Sequence, residues 1–334
     1  MTDAEFQRLL GTVASLSLAQ VIQLDVVVRE RLSGGEPALN DTALSAENSG
    51  ETSNGCASIA DIEARFAASP QCPHCGADAV LKWGSANGLR RYRCKSCQVT
   101  FNALTGTPLA QLHKRDLWGG HAQALVDGIS LRKVAARLDI DLTTAFRWRH
   151  RFLKTPKNVK PEILDGTVEA DETYFLHSMK GARKLDRPAR KRGGKAKRPG
   201  LSDEQVPVLI ARNRDRVTTD YILPDRSTAS IAQVLGPVIA KSAILVSDGA
   251  KPYRAFANAA NVLHVELNLS AGQRRWGIYH LQNANSYDSR LKRWMRRFNG
   301  VATKYLDSYL GWHRANDRDG NTQTASSMLA AAWG

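Results

Sequence analysis

The chain has 334 residues, 43% of them hydrophobic, which is enough for two or three domains with a sizeable core. Its 47 Lys plus Arg exceed its 32 Asp plus Glu by a formal charge of +15, a surplus that favours polyanionic partners and nucleic acid above all. No apolar run reaches the roughly 18–20 residues that cross a bilayer, and the start MTDAEFQRLL lacks the basic and apolar regions of a secretion signal. A cytoplasmic protein that neither crosses a membrane nor is secreted is therefore expected.

Residues 1–32 carry Phe6, Leu9, Leu10, Val13, Leu16 and Val21 at helical spacing, which predicts an N-terminal helical segment. Residues 33–57 are rich in Gly, Ser, Asn and Glu without periodicity, so 33–67 reads as a flexible linker followed by a short helix. Cys56 in this linker is given no role.

Residues 68–105 hold two C-x-x-C steps, Cys72–Cys75 and Cys94–Cys97, separated by 18 residues. Each step brings two thiolates together at one tight turn, and two such turns complete the tetrahedral site that Zn²⁺ accepts. The spacing predicts a zinc ribbon with Cys72, Cys75, Cys94 and Cys97 as ligands and His74 as a bystander. Arg90, Arg91, Arg93 and Lys95 crowd its second half and suit phosphate contacts.

Residues 115–154 read as three helices ending in a helix-turn-helix. Ser130 caps the first helix of the pair, Asp139-Ile140-Asp141 forms the turn, and the second helix starts at Thr143 or Thr144. That second helix carries Arg147, Arg149 and Arg151, which are expected to meet DNA from a recognition helix.

From residue 163 to 320 the pattern changes to three meandering strands, then helix, strand, helix, strand and C-terminal helices. That order is the grammar of an RNase H-like α/β domain. Asp171 lies in the strand-like run VEADETYF, where a buried carboxylate needs a partner or a metal, and Asp248 ends the apolar strand AILVSDG. If the two strands are neighbours, the carboxylates converge at one end of the sheet. Glu169 and Glu172 are expected to turn away from Asp171. Between the first two strands, residues 180–200 hold ten basic residues and one acidic, a density that reads as a DNA-tracking arm built on Arg190, Lys191 and Arg192.

The runs Val168-Glu-Ala-Asp171-Glu-Thr-Tyr174 and Val246-Ser-Asp248-Gly249, the segment His280 to Lys292, and RFNGVATKYLDSYLGWHR together resemble the DDE superfamily of bacterial insertion-sequence transposases. The closest resemblance is to a subgroup with an N-terminal zinc ribbon and Asn as third site residue. It implies an Asp171, Asp248, Asn285 site on an RNase H-like fold that binds Mg²⁺ or Mn²⁺, with Lys292 meeting DNA phosphate. It also implies DNA partners (terminal repeats and target) and a homo-oligomer on DNA. Asn285 stands where the superfamily has Glu; Asp288, one helical step on, is the alternative third ligand. His280 is a further candidate for a water or phosphate contact.

Two other readings compete. A binding-only zinc-ribbon regulator draws support from Asn285 but has no use for Asp171 and Asp248. An RNase H-like nuclease of another biology, such as a resolvase, leaves the ribbon, arm and C-terminal motif together without explanation.

Overall fold

A computed structural model describes residues 58–334, apart from 186, 189, 191, 192, 195 and 199–201 and the side chain of 321. The N-terminal helical segment, most of the linker with Cys56, and Lys191 and Arg192 of the basic arm lie outside the described residues. Arg275–Tyr279 group with residues 1–53 as one unit, in which Arg275–Trp276 is a short strand. The remainder, residues 54–274 and 280–334, forms a second unit.

Helix α1 (Ile59–Ala68) is closed at its start by a capping box between Ser58 and Asp61. It covers a three-stranded antiparallel sheet of β1 (Val80–Ala86), β2 (Leu89–Cys94) and β3 (Thr100–Asn102), with β2 in the middle. Alternation sends Tyr92 and Cys94 of β2 inward; Leu89, at the start of the strand, is also buried, and Arg90 is exposed. The core beneath is small: Tyr92 and Phe101 stack 5.9 Å apart, and Phe66 of α1 meets both edge-on.

Three helices follow, α2 (Trp118–Val126), α3 (Leu131–Leu138) and α4 (Leu142–Phe152). The turn between α3 and α4 passes through Asp139 in the left-handed region. Asp141 then caps α4 by accepting the Thr143 N–H at 2.7 Å, so the helix begins one residue before the Thr pair.

The five-stranded sheet has the order β6-β5-β4-β7-β8, from β4 (Thr167–Leu176), β5 (Gln205–Asn213), β6 (Thr218–Ile222), β7 (Ile244–Ser247) and β8 (Leu263–Glu266). The first three strands are antiparallel, and β4, β7 and β8 are parallel. This is the RNase H-like topology. Helix α5 (Thr228–Leu235) ends at Gly236-Pro237, where proline cannot continue the hydrogen-bond ladder. With α6 (Lys251–Ala260) it covers one sheet face through Val168, Ala170, Leu209 and Ala211.

The other face receives α7 (Gln282–Arg296) and α8 (Leu306–Asp319). The final helix α9 (Ala325–Trp333) returns to the ribbon and helical modules, where Trp333 donates its indole N–H to the Ala103 carbonyl at 2.7 Å. Trp312 of α8 likewise donates to the Leu125 carbonyl at 2.9 Å. Ribbon, helical module and sheet domain thus share one packed interior. At one contact α8 comes so near the chain at Lys157 that a Cβ on Gly311 would lie 2.4 Å from its Cα.

His121 is fully buried in this interior, edge-on to Trp148 and Phe152, and neither ring nitrogen has a hydrogen-bond partner among the described residues. Burial, aided by the Arg149 charge, pushes its pKa down to about 3; burial takes His313 down to about 4. Both folded-state values lie below the unfolded one. Their stabilisation is therefore complete above pH ~6.5 and is lost as pH falls toward 4, on the order of 2 kcal/mol per ring by pH 5. Asp171, pushed up to about 6, runs in the opposite sense and offsets part of this. Denaturant titrations at pH 7 and pH 5 are expected to show the loss, and His121→Phe should remove one ring's share. An unchanged pH difference in that variant would refute it.

Candidate active site

Position on the sheet explains why the two aspartates meet. Strands β4 and β7 are parallel with Thr167 opposite Ile244, Val168 opposite Leu245 and Glu169 opposite Val246. Asp171 and Asp248 each stand two residues beyond the last of these pairs, Asp171 within β4 and Asp248 just after β7, near enough for the charge of one to act on the other. Gly249, at φ +77°, lets the chain turn sharply after Asp248. Asp248 accepts the Ala250 N–H at 3.1 Å, and Asp171 accepts the Glu172 N–H at 2.8 Å.

Asp171 is pushed up to about 6, chiefly by burial, then by the charges of Glu172, Asp248 and Asp288. Glu172 and Asp288 have cationic partners in Arg226 and Lys292, but neither Asp171 nor Asp248 has an ion pair among the described residues, and crowding of that kind is the condition that a divalent cation relieves. One oxygen of Asp288 is also buried without a hydrogen-bond partner. An all-oxygen donor set is the kind Mg²⁺ and Mn²⁺ take. The residues present fit the group.

Helix α7 puts Asn285, Asp288 and Lys292 on one face, at i, i+3 and i+7. Ala284, Tyr287, Leu291 and Trp294 make the neighbouring, buried stripe. Asn285 is exposed, while Asp288 is paired with Lys292 at 2.8 Å. Beyond Lys292 lies a cleft of about 850 Å³ lined by Tyr174, His177, Arg187, Arg190 and Arg296 among others. Arg190 is partly committed inside it, donating to the His177 carbonyl at 2.7 Å and pairing with Glu204 at 3.4 Å.

Glu169 does not turn away from the site. Side chains two apart on a strand share a face, so Glu169 stands on the Asp171 side and only Glu172 is turned to the other, where it pairs with Arg226 at 2.9 Å. Glu169 is fully buried and accepts from the N–H groups of Asn283 and Ala284 at 2.7 and 3.0 Å. His280 is drawn into the same cluster, 3.2 Å from Glu169 and 2.6 Å from Arg214, so its partners are side chains of this chain.

In α4, the expected recognition helix, two of the three arginines expected to meet DNA are held by internal partners. Arg149 is 1% exposed, donates to the Ile129 carbonyl at 2.6 Å and lies over the rings of Trp312 and Phe298. It occupies the helix face of Ala145, Trp148 and Phe152, which spacing alone could have shown. Arg151 donates to the carbonyls of Pro108 and Ala110. Arg147 remains exposed, next to exposed Phe146.

The sulfurs of Cys72 and Cys97 lie 3.6 Å apart, as do those of Cys75 and Cys94, and all four fall within 4.8 Å of one another. A tetrahedron with Zn–S bonds of ~2.3 Å has edges of ~3.7 Å, so the four thiols are spaced for that ion. Among the described residues no other group of three or more His, Cys, Asp or Glu is drawn this close.

Residues 163–312 match the family described as the ISXO2-like transposase domain. A protein in transposable element ISH50 of Halobacterium salinarum is 28% identical over 243 residues, 72% of this chain and 82% of that protein. Among solved structures, a pre-cleavage Mos1 transpososome aligns over 64% of this chain and 78% of that chain at 11% identity, TM-score 0.18. A Mos1 strand transfer complex aligns over the same shares at 14% identity, TM-score 0.20. Superpositions that loose leave the strand order to carry the fold. Residues 163–312 thus match an ISXO2-like transposase domain, and both likenesses are consistent with an insertion-sequence transposase of the DDE superfamily.

Proposed function

We propose that this transposase cuts DNA at the ends of its insertion sequence and joins the freed ends to target DNA, using Asp171, Asp248 and Asn285 to hold two Mg²⁺ or Mn²⁺ ions. The observation that carries the reading is the matched placement of Asp171 and Asp248 on parallel strands, with α7 presenting Asn285 and Lys292 from the same side of the sheet. When bound, two such ions activate an attacking oxygen and stabilise the departing one. Asp171 offers its oxygens from the middle of β4, where it is paired with Ile210, and Asp248 from the residue directly after β7, so both are held close to the sheet. Asn285 contributes a neutral oxygen, so the third position holds its ion more weakly than Glu would. Asp288 is the weaker candidate for this place because Lys292 already neutralises it.

The chemistry conserves phosphodiester bonds in its second half. Water attack on one bond releases a 3′-hydroxyl; that hydroxyl attacks a target phosphodiester, forming one P–O bond as another breaks. Lys292, Arg296 and Arg190 line the cleft along which a phosphate chain would run. Arg147 and the ribbon's Arg90 and Lys95 are exposed for further contacts. Zn²⁺ on Cys72, Cys75, Cys94 and Cys97 holds the ribbon. We further propose that the protein works in the cytoplasm as a homo-oligomer on DNA, since two element ends must be joined. Among the described residues no helix is long and apolar enough to cross a membrane.

Strand cleavage and transfer on DNA carrying the element's own ends, with Mg²⁺ or Mn²⁺, tests this. Asp248→Ala and Asn285→Ala are each expected to lower turnover on the order of 100-fold or more, with binding to the ends retained. Loss in Asp248→Ala alone would move the third ligand to Asp288. Wild-type protein that binds the ends and never cuts them would establish the binding-only reading instead.

A further inference from the structure

Helix α7 lacks a cap of its own. Its N-cap is Leu281, which has no side-chain acceptor, and no acidic residue lies in its first turn. Such a start leaves backbone N–H groups unpaired at the positive end of the helix dipole. Glu169, 114 residues earlier in the chain, supplies what is missing. One oxygen accepts the Asn283 and Ala284 N–H groups at 2.7 and 3.0 Å; the other accepts the Asn283 side-chain amide at 2.8 Å. Arg214, from the turn between β5 and β6, and His280, just before α7, each approach that second oxygen to 3.2 Å.

We infer that Glu169 is a positioning residue: it locks the first turn of α7 to β4 and so sets Asn285 against Asp171 and Asp248. This rests on the Asp171, Asp248, Asn285 site proposed above. A fully buried carboxylate is costly unless its oxygens are well paired, and here every partner named lies either on α7, directly before it, or on the turn that braces it. Glu169 sits two residues before Asp171 on the same strand face, and the N–H groups it holds are those of the two residues before Asn285. One side chain therefore fixes the distance between the first and third ligands. A neutral ligand such as Asn285 gains little from charge attraction to a cation, so its contribution depends on being held in place. Arg214 and His280 carry no ligand in this scheme; they hold the second Glu169 oxygen so that the first faces the helix.

The test uses the full chain and Mn²⁺ alone as probe. Mn²⁺ affinity is measured by electron paramagnetic resonance on wild type, Glu169→Gln, Asn285→Ala and the double variant. Folding is followed by circular dichroism, and binding to the element ends by anisotropy. Gln keeps the shape of the side chain and one acceptor oxygen, so Glu169→Gln is expected to stay folded and bind DNA ends as wild type does. Its Mn²⁺ affinity should fall about tenfold. In the Asn285→Ala background the same change should have little further effect, because the residue through which it acts is gone.

Wild-type Mn²⁺ affinity in Glu169→Gln, or a loss that adds in full to that of Asn285→Ala, overturns the inference. If Glu169→Gln unfolds, Asn283→Ala removes one of the tethers alone, and a smaller, equally non-additive loss is required. Unchanged Mn²⁺ affinity in Asn285→Ala would instead sink the site assignment on which the inference rests.

Discussion

Asp220→Ala should destabilise the chain by about 3–5 kcal/mol, the cost of stranding a buried charge when its partner is removed. Asp220, on β6, is 1% exposed. Its carboxylate takes the Tyr287 hydroxyl at 3.0 Å and the Arg314 guanidinium, and its main-chain carbonyl takes Lys160 at 2.9 Å. Arg314, 5% exposed, spends its remaining donors on the carbonyls of Val159 and Lys157 at 3.1 and 2.9 Å. A second cluster lies alongside, with Asp317 holding Arg212 at 2.6 Å and Arg290 at 2.6 Å. These pairs join α7 and α8 to the edge of the sheet.

Without Asp220 the Arg314 charge and the Tyr287 hydroxyl lose their acceptor together. Tyr287 is two residues beyond Asn285, so the damage should reach the third ligand as well as global stability. Equilibrium denaturation measures the first and Mn²⁺ affinity the second. Adding Arg314→Met should recover part of the loss, since a pair replaced by apolar groups leaves no orphan charge. A double variant no more stable than Asp220→Ala, or a single variant within about 1 kcal/mol of wild type, would show that the network is not what pins these helices.

The parts of this protein legible in the sequence are those whose chemistry is local. Two C-x-x-C steps state their own geometry, and the four sulfurs meet as the spacing required. The order of strands and helices after residue 163 likewise survives as the sheet order β6-β5-β4-β7-β8, because alternation and apolar runs are written residue by residue. Asp171 and Asp248 follow from that order once β4 and β7 are neighbours.

What was illegible depends on tertiary partners. A basic helix such as α4 reads as a DNA-facing surface, yet Arg149 and Arg151 answer internal carbonyls contributed by residues 20 and more than 40 positions away. Arg149 did leave a trace in its helical spacing with Ala145, Trp148 and Phe152. Glu169 left one in its two-residue offset from Asp171, a parity that places both on one face, against the expectation that Glu169 turns away. That Glu169 caps α7 left none, since nothing in the first turn of α7 names a partner 114 residues upstream. The return of α9 to the ribbon is of the same kind, a docking through Met328, Leu329, Ala332 and Trp333 with no periodic signal strong enough to announce it.

The ribbon is expected to lose its structure when its metal is withdrawn, and the reason lies in the size of its core. The cluster beneath the three strands buries Cys72, Tyr92, Cys94 and Phe101, with Phe66, Ala77, Val80 and Cys97 partly covered. That much apolar surface does not offset the entropy of ordering some 30 residues, whereas Zn²⁺ on four thiolates contributes about 10–16 kcal/mol at neutral pH. The ribbon is also tied outward, through Trp333 on the Ala103 carbonyl and Arg115 on the Asn87 carbonyl at 2.8 Å. Chelation should therefore loosen α9 and the start of the helical module along with residues 72–103, while the sheet around Asp220 stays protected.

Hydrogen exchange with and without a zinc chelator, beside metal analysis of the purified chain, reads this directly. One zinc per chain and selective loss of protection in residues 72–103 and 325–333 is the expected result, and Cys94→Ser should reproduce it without chelator. Full protection of the ribbon in metal-stripped protein would mean that its packing against α1 and α9 suffices alone. The four thiols would then be close for some reason other than a resident ion.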